Sequence, residues 1–410
     1  MMRFSGLKIL LIILFVWALP LSMSAQKKQI AQAREWVKNK KDLEKAEKSM
    51  RILLEDSQNR NNHKIWITLI NSLVAQYEQG NEKLYLKQEY DMSQLFNITK
   101  RMFDTMEAYD SIDVLPNKKG KIDPKFRESH SIFLNKIRTN LYFGGVFFLE
   151  KKDYKQSMAF MEEYIECANH PLFEKYQYAT TDTLLQYAAR WAMYSGIKLN
   201  VPDAVLKYKT LAERDIKHYE FVLQYLAEAY DLKQMKKEYI ETLQTGFDKY
   251  PTFPFFFPRL MDYYQSENKL DSALNIANKA LEADSTNIMF QYAKSTILLN
   301  TGHYDECIKL CQKLIEKDDS LAEAYYNIGL AYFNQAIELD KVQQKSRDKR
   351  KRIMTLYKES LPYLEKYRLL APEQKAQWVS PLYTIYLNLN MGKEFDEIDK
   401  IKNEYRNNHR

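Results

Sequence analysis

Glycine and proline are scarce in this chain, 10 and 11 among 410 residues. A sheet protein of this length needs many tight turns built on those residues, whereas long helices need almost none. The shortage therefore points away from β architectures. Cysteine is rarer still, with Cys167, Cys307 and Cys311 alone. An odd total of three argues against a structural disulfide in an oxidising compartment. Cys307 and Cys311 fall four apart on one expected helix, where side chains of consecutive turns run parallel rather than toward each other. Both read as small apolar core groups.

Chemistry is also missing. None of the six histidines lies in an H-E-x-x-H motif or shares a helix face with another at ligand spacing. Cys167 and His170 are three apart near a helix end but lack a third, orienting group. No G-x-S-x-G, P-loop or G-x-G-x-x-G occurs, and the pair Gly144-Gly145 lacks the lysine of a phosphate loop. No catalytic, metal-binding or cofactor-binding residue is assigned, and no enzyme activity is expected. After the N-terminus no run is long and apolar enough to span a bilayer, Leu141 to Leu149 being only nine residues.

That N-terminus, residues 1–25, reads as a secretory signal. Arg3 and Lys8 precede the 11-residue apolar run Ile9 to Leu19, Pro20 breaks it, and small Ser22, Ser24 and Ala25 follow. The run is too short to span. Cleavage near Ala25 is the preferred outcome, cleavage after Ser24 would avoid Met23 three places before the cut, and retention as an anchor is the alternative. With no cysteine before Cys167 to carry a lipid, the expected destination is the periplasm or envelope, not as a lipoprotein.

The net charge of +7 is concentrated rather than spread. The signal carries two cations, and the stretch Lys341 to Arg352 holds seven basic residues against Asp348. A nucleic-acid binder distributes basic residues along a face or groove, so no nucleic-acid partner is expected. The basic stretch reads either as a solvated loop or as a dock for an anionic partner through Lys349, Arg350, Lys351 and Arg352.

What the chain has in quantity is periodicity. Leu226, Leu260 and Lys294 are spaced by 34 residues, as are Tyr230, Tyr264 and Leu298. A fourth copy reads Tyr325-x-x-Ile328-Gly329-x-x-Tyr332. Ala273 and Ala280, then Cys307 and Leu314, recur on intervening helices, and Pro251 closes a unit. The pattern resembles the tetratricopeptide repeat, a 34-residue helix–turn–helix unit. The resemblance implies an all-α fold, a right-handed superhelical solenoid of antiparallel helix pairs, in which each pair buries its apolar face on its neighbours.

The expected organisation is a signal (1–25), N-terminal helix pairs (26–110), a loop with a sub-domain boundary (111–124), TPR-like pairs (125–216) and regular repeats (220–335). The basic insertion (341–352) and C-terminal TPR-like and capping helices (353–410) follow. Ala46 and Met50 are expected to face inward; Trp66, Leu69, Ile70 and Leu73 share a helix face; one long helix is expected from Leu84 to Tyr109. Gly144 and Gly145 read as a close-approach slot between helices. Further pairs are expected over Thr180 to Lys198 and Val201 to Asp215, and Pro362 should kink or restart its helix.

In the family, first helices line a concave groove. The resemblance places Phe221, Glu228, Asp231, Phe255, Arg259, Asp262, Tyr292, Asn300, Tyr326, Asn327, Phe333 and Asn334 on it. Each aromatic there reads equally as an inter-repeat packing residue. Three acids and one arginine are the wrong balance for clamping an acidic tail. The reading is a non-catalytic exported scaffold that binds a protein or peptide; the alternative is a carbohydrate- or nutrient-binding component of an outer-membrane uptake system.

Overall fold

The structure is a computed structural model describing residues 25–116, 119–343 and 346–408. The expected signal falls almost wholly outside the described residues. Among those residues the fold is helical without strands, and the chain divides into two compact units, one ending at Met235 and one beginning at Lys236.

The first unit opens with α1 (residues 25–38) against α2 (Leu43–Glu55), and α3 (His63–Tyr85) against α4 (Met92–Asp113). An extra helix, α5 (Arg127–Ile137), leads into α6 (Thr139–Glu150) and α7 (Tyr154–Glu166). Two 3₁₀ turns and the short α8 (Tyr178–Thr181) precede α9 (Leu185–Lys198), which packs on α10 (Pro202–Lys207) and α11 (Lys209–Ala212). The unit closes with α12 (Tyr219–Leu232). The second unit starts with α13 (Lys236–Lys249) and continues with the pairs α14 (Phe256–Ser266) and α15 (Leu270–Ala283), and α16 (Ile288–Asn300) and α17 (Tyr304–Lys317). Two more follow: α18 (Ala322–Lys341) with α19 (Arg347–Leu370), and α20 (Lys375–Asn388) with α21 (Gly392–Asn408).

The repeat is written into the turns. Among the described residues eight helices end on a residue in the left-handed region: Lys40, Lys87, Lys152, Asn200, Gln234, Asn268, Gly302 and Asn390. Each turn closes with the same two bonds. In α6, for instance, the Lys152 N–H reaches Leu149 O and the Asp153 N–H reaches Phe148 O, both at 2.9 Å. Paired 5→2 and 6→1 bonds of this kind satisfy the orphan carbonyls of a helix end and reverse the chain. The next helix then opens on a cap where one is available, as Asp91 does for the Ser93 N–H at 2.8 Å and Asp153 for the Gln156 N–H at 3.1 Å.

Apolar faces bury as the pattern requires. Ala46, Met50, Leu73, Leu260, Ala273, Ala280, Cys307 and Leu314 are inaccessible to solvent or nearly so. A Cβ on Gly144 would sit 2.8 Å from the Phe160 ring, and one on Gly145 would sit 2.5 Å from the Met161 methyl. The paired glycines thus leave the space that Phe160 and Met161 of α7 occupy against α6, a close-approach slot as expected.

Several expectations are corrected. No single helix runs from Leu84 to Tyr109: α3 stops at Tyr85 and α4 starts at Met92, because Lys87 turns left-handed (φ 54°) and Asp91 caps the new helix. The loop after α4 is no boundary. Across it, Arg127 Nε and Nη2 donate to the two Asp110 oxygens at 2.8 and 2.6 Å, and Asp113 accepts the Phe126 N–H at 2.7 Å. The helix expected from Thr180 breaks at Asp182, whose carboxylate is spent on the Leu184 N–H, on Tyr164 Oη and on the buried guanidinium of Arg138. Helix α19 runs unbroken through Pro362.

Candidate interaction surface

In the first unit the helices α6, α9 and α12 lie side by side, and each contributes aromatics to one row. Phe143 of α6 is 54% exposed. Tyr187, Trp191 and Tyr194 of α9 and Phe221 of α12 are half-buried. Four rings lock together, with Trp191 to Tyr194 at 6.2 Å, Tyr194 to Tyr225 at 5.5 Å and Phe221 to Tyr225 at 6.5 Å between centroids, while Phe143 meets Tyr142 at 5.7 Å and Tyr187 meets His218 at 6.4 Å. Tilted and edge-on pairs at these separations are favourable beyond the area they bury.

A buried ion pair sets Trp191. Arg190 lies 4.1 Å from the Trp191 ring centroid and donates Nε to Asp215 Oδ2 at 2.7 Å, both charged groups being nearly inaccessible. His218 Nδ1 is 3.1 Å from the second Asp215 oxygen. The row is thus rigid contact area whose rotamers are already fixed, the arrangement that costs least entropy on binding.

Of the residues expected on the groove, Phe221 belongs to this row. Glu228 is half-buried and accepts from Gln224 Nε2 at 2.8 Å, while Asp231 is exposed. In the second unit Arg259, Asp262 and Asn300 are exposed. Two assignments are corrected. Asn327 is 2% exposed because its amide bridges to Ser295 Oγ at 3.0 Å and Thr296 Oγ1 at 3.2 Å on the preceding first helix. Phe255 is 6% exposed, its ring covered by the Arg259 guanidinium 3.7 Å from the centroid. Tyr292, Tyr326, Phe333 and Asn334 are half-buried. The Tyr326 ring lies tilted against Tyr367 at 4.7 Å between centroids, and Phe333 lies 5.9 Å from Tyr357, so both meet α19.

Sequence reasoning missed Phe143, Tyr187, Trp191 and Tyr194. The available signal was the period: Tyr187 stands 34 residues before Phe221, which stands 34 before Phe255.

From Arg347 onward the basic stretch is helix and not loop. Its extra residues lengthen α18 and α19, so that Arg347 to Arg352 form the opening turns of α19 behind the Ser346 cap. Lys349 is no free cation, since its Nζ donates to Asp340 O at 2.9 Å, near the end of α18, and to the O of that helix's capping residue Val342 at 2.5 Å. Arg350, Lys351 and Arg352 are exposed.

Cys167 and His170 do not form a pair. The buried thiol accepts from Arg138 Nε at 3.2 Å and donates to Tyr164 O at 3.2 Å, while His170 Nδ1 accepts the Leu172 N–H. Burial pushes the Cys167 thiol up to about 12 despite the guanidinium beside it, which leaves it protonated and inert. Cys307 and Cys311 are buried and unbridged. Among the described residues no three His, Cys, Asp or Glu are placed to hold a metal, and no helix is long and apolar enough to cross a membrane.

No protein-family model matches the chain. A stretch of 78 residues, 19% of this chain and 14% of the relative, is 30% identical to Hsp70-Hsp90 organizing protein 1 of Glycine max. Among solved structures the chain is similar to the C-terminal part of a TPR repeat-containing protein from Cytophaga hutchinsonii, at TM-score 0.42 and 14% identity over 63% of this chain and 93% of that one. It is also similar to YrrB, described as a TPR protein with an unusual peptide-binding site, at TM-score 0.33 and 17% identity over 45% and 86%. A third is the TPR2AB domain of yeast Sti1 in its complex with pHSP90, at TM-score 0.24 and 14% identity over 73% and 97%. In the chain itself α13, α15 and α17 begin at Lys236, Leu270 and Tyr304, which is the 34-residue helix-pair period of tetratricopeptide-type repeats.

Proposed function

We propose that this protein is a non-catalytic, exported scaffold that holds a segment of another protein against its first helices. The observation that carries the reading is the aromatic row on α6, α9 and α12: exposed or half-exposed rings fixed by their neighbours and by the buried Arg190–Asp215 pair, next to amide and carboxylate groups such as Gln224 and Glu228. Apolar rings supply area, and the polar groups fix the register of a main chain. YrrB, described with a peptide-binding site, and the Sti1 domain, described in a complex with pHSP90, accord with this use of the fold. The apolar run at residues 9–19 supports export to the periplasm or envelope.

The test is selection of peptides from a random displayed library on the full chain, followed by affinity measurement on two variants. Phe143→Ala removes an exposed ring that supports little of the fold, and Trp191→Ala removes the centre of the row. Each is expected to weaken the selected peptides, Trp191→Ala by about 2 kcal/mol as a central hot spot does. Peptides whose affinity ignores both substitutions would refute the assignment. Cell fractionation checks export, and a cytoplasmic pool alone would refute that part.

A further inference from the structure

A cavity in the first unit shares no lining residue with the aromatic row. It has a volume of about 500 Å³ and is walled by α2, α3 and α4. Its lining is preset from behind. Gln76 Nε2 and Arg101 Nε both donate to the buried Glu47 at 2.9 Å, and Arg51 Nε donates to the same carboxylate at 2.9 Å. Burial opposes the Glu47 charge, but these hydrogen bonds and the Arg101 charge prevail and hold its carboxyl below the usual range. Tyr90 is fixed too, since its ring occupies the space a Cβ on Gly80 would need, 2.9 Å away.

What remains unspent defines the ligand. Gln76 and Gln79 use their amide N–H groups on Glu47 and on Lys40 O, each at 2.9 Å, and keep their amide oxygens as acceptors. Gln94 and Asn97 make no side-chain hydrogen bond among the described residues. The charges nearly cancel within the walls: Asp42 pairs with Lys45 at 2.7 Å and Arg101 with Glu47. Glu44 and Lys83 are left, so an anionic ligand would meet a carboxylate and a cationic one an ammonium.

We propose that this cavity binds a small, uncharged, polyhydroxylated ligand, a mono- or disaccharide unit. Each hydroxyl both donates and accepts, which suits amide oxygens and amide nitrogens on the same wall. Hydroxyls radiate from a sugar ring in all directions and can serve three helices at once, whereas an extended peptide aims its main-chain groups to two opposite sides. The volume falls in the range of small-ligand sites, roughly 300–1,000 Å³.

Titration calorimetry on the full chain tests this, with glucose, galactose, N-acetylglucosamine and maltose at millimolar concentration, and with free amino acids and alanyl-alanine as the competing class. At least one sugar is expected to bind. The double variant Gln94→Ala/Asn97→Ala changes exposed or half-exposed side chains and is expected to weaken that sugar tenfold or more at an unchanged Tm. Phe143→Ala should leave sugar binding alone, and the double variant should leave peptide capture by the aromatic row alone, so the two readings fail separately. No sugar binding, sugar binding indifferent to the double variant, or binding of amino acids and alanyl-alanine only, would each overturn the proposal.

Discussion

Gly144 faces Phe160 across the α6–α7 interface so closely that a methyl group there would lie 2.8 Å from the ring, with Phe96 Cβ at 3.2 Å on another side. A ring wedged between helices cannot retreat. Gly144→Ala gains up to about 1 kcal/mol of helix propensity but incurs an overpacking cost of about 1–3 kcal/mol, so a net loss is expected. At Gly145 the neighbour is the flexible end of Met161, which can swing aside. Gly145→Ala should therefore cost less than Gly144→Ala. Urea unfolding of the two variants side by side checks the order, and equal losses would contradict it.

The left-handed turns make a second prediction. Lys152 and Gln234 hold φ of 60° and 56°, where a side chain pushes against its own carbonyl, and Gly302 holds 79° at the equivalent place. Replacing Lys152 or Gln234 by glycine should stabilise the protein by about 1 kcal/mol, and Gly302→Ala should destabilise it by a similar amount. Thermal unfolding reads both signs.

These turns also explain which parts of the fold were legible beforehand. Helices α13, α15 and α17 are each 14 residues long and begin 34 apart, at Lys236, Leu270 and Tyr304. Successive copies meet nearly the same surroundings, so their core positions stay apolar and the period shows. The break at residues 86–91 was hidden because the turn uses Lys87 where glycine would have announced it. Asn327 resembled a surface amide because its hydroxyl partners, Ser295 and Thr296, lie a repeat away in sequence. Lys349 resembled one more cation in a basic run because main-chain carbonyls, its actual partners, leave no trace in residue type.

The interface of α4 with α7 should sense pH. Lys100 donates to Asp104 at 2.9 Å and to Glu163 at 3.3 Å, but Glu107 Oε1 is buried without a partner. Burial, with Glu163 and Asp104 nearby, pushes the Glu107 carboxyl up to about 8; burial and Asp104 push Glu163 up to about 7. Both values are raised above those of the unfolded chain, so the folded state binds more protons than the unfolded one in between. Stability from these groups is complete below about pH 4.5 and is lost as pH rises through 7 to 8. Glu107→Gln supplies a neutral group at every pH and should flatten that decline. Melting temperatures between pH 5 and 9 test it; a variant whose Tm still falls as steeply as the parent's would contradict the assignment.

The four basic residues from Lys349 to Arg352 should separate into two roles. Lys349 closes the α18–α19 hairpin through two carbonyls at the end of α18, a place where a cation also offsets the helix dipole. Lys349→Ala is expected to destabilise by about 1 kcal/mol. Arg350, Lys351 and Arg352 are exposed, and neutralising them should move stability by no more than about 0.5 kcal/mol. Removing positive charge from the first turns of α19 even relieves an unfavourable interaction with the partial positive charge of that helix end. If these three cations serve an anionic envelope surface, the triple glutamine variant should lose co-sedimentation with anionic liposomes at low salt while Lys349→Ala keeps it. Binding lost equally in both variants would instead tie the effect to the hairpin's fold, and binding unchanged in the triple variant would leave the cations as a solvated surface.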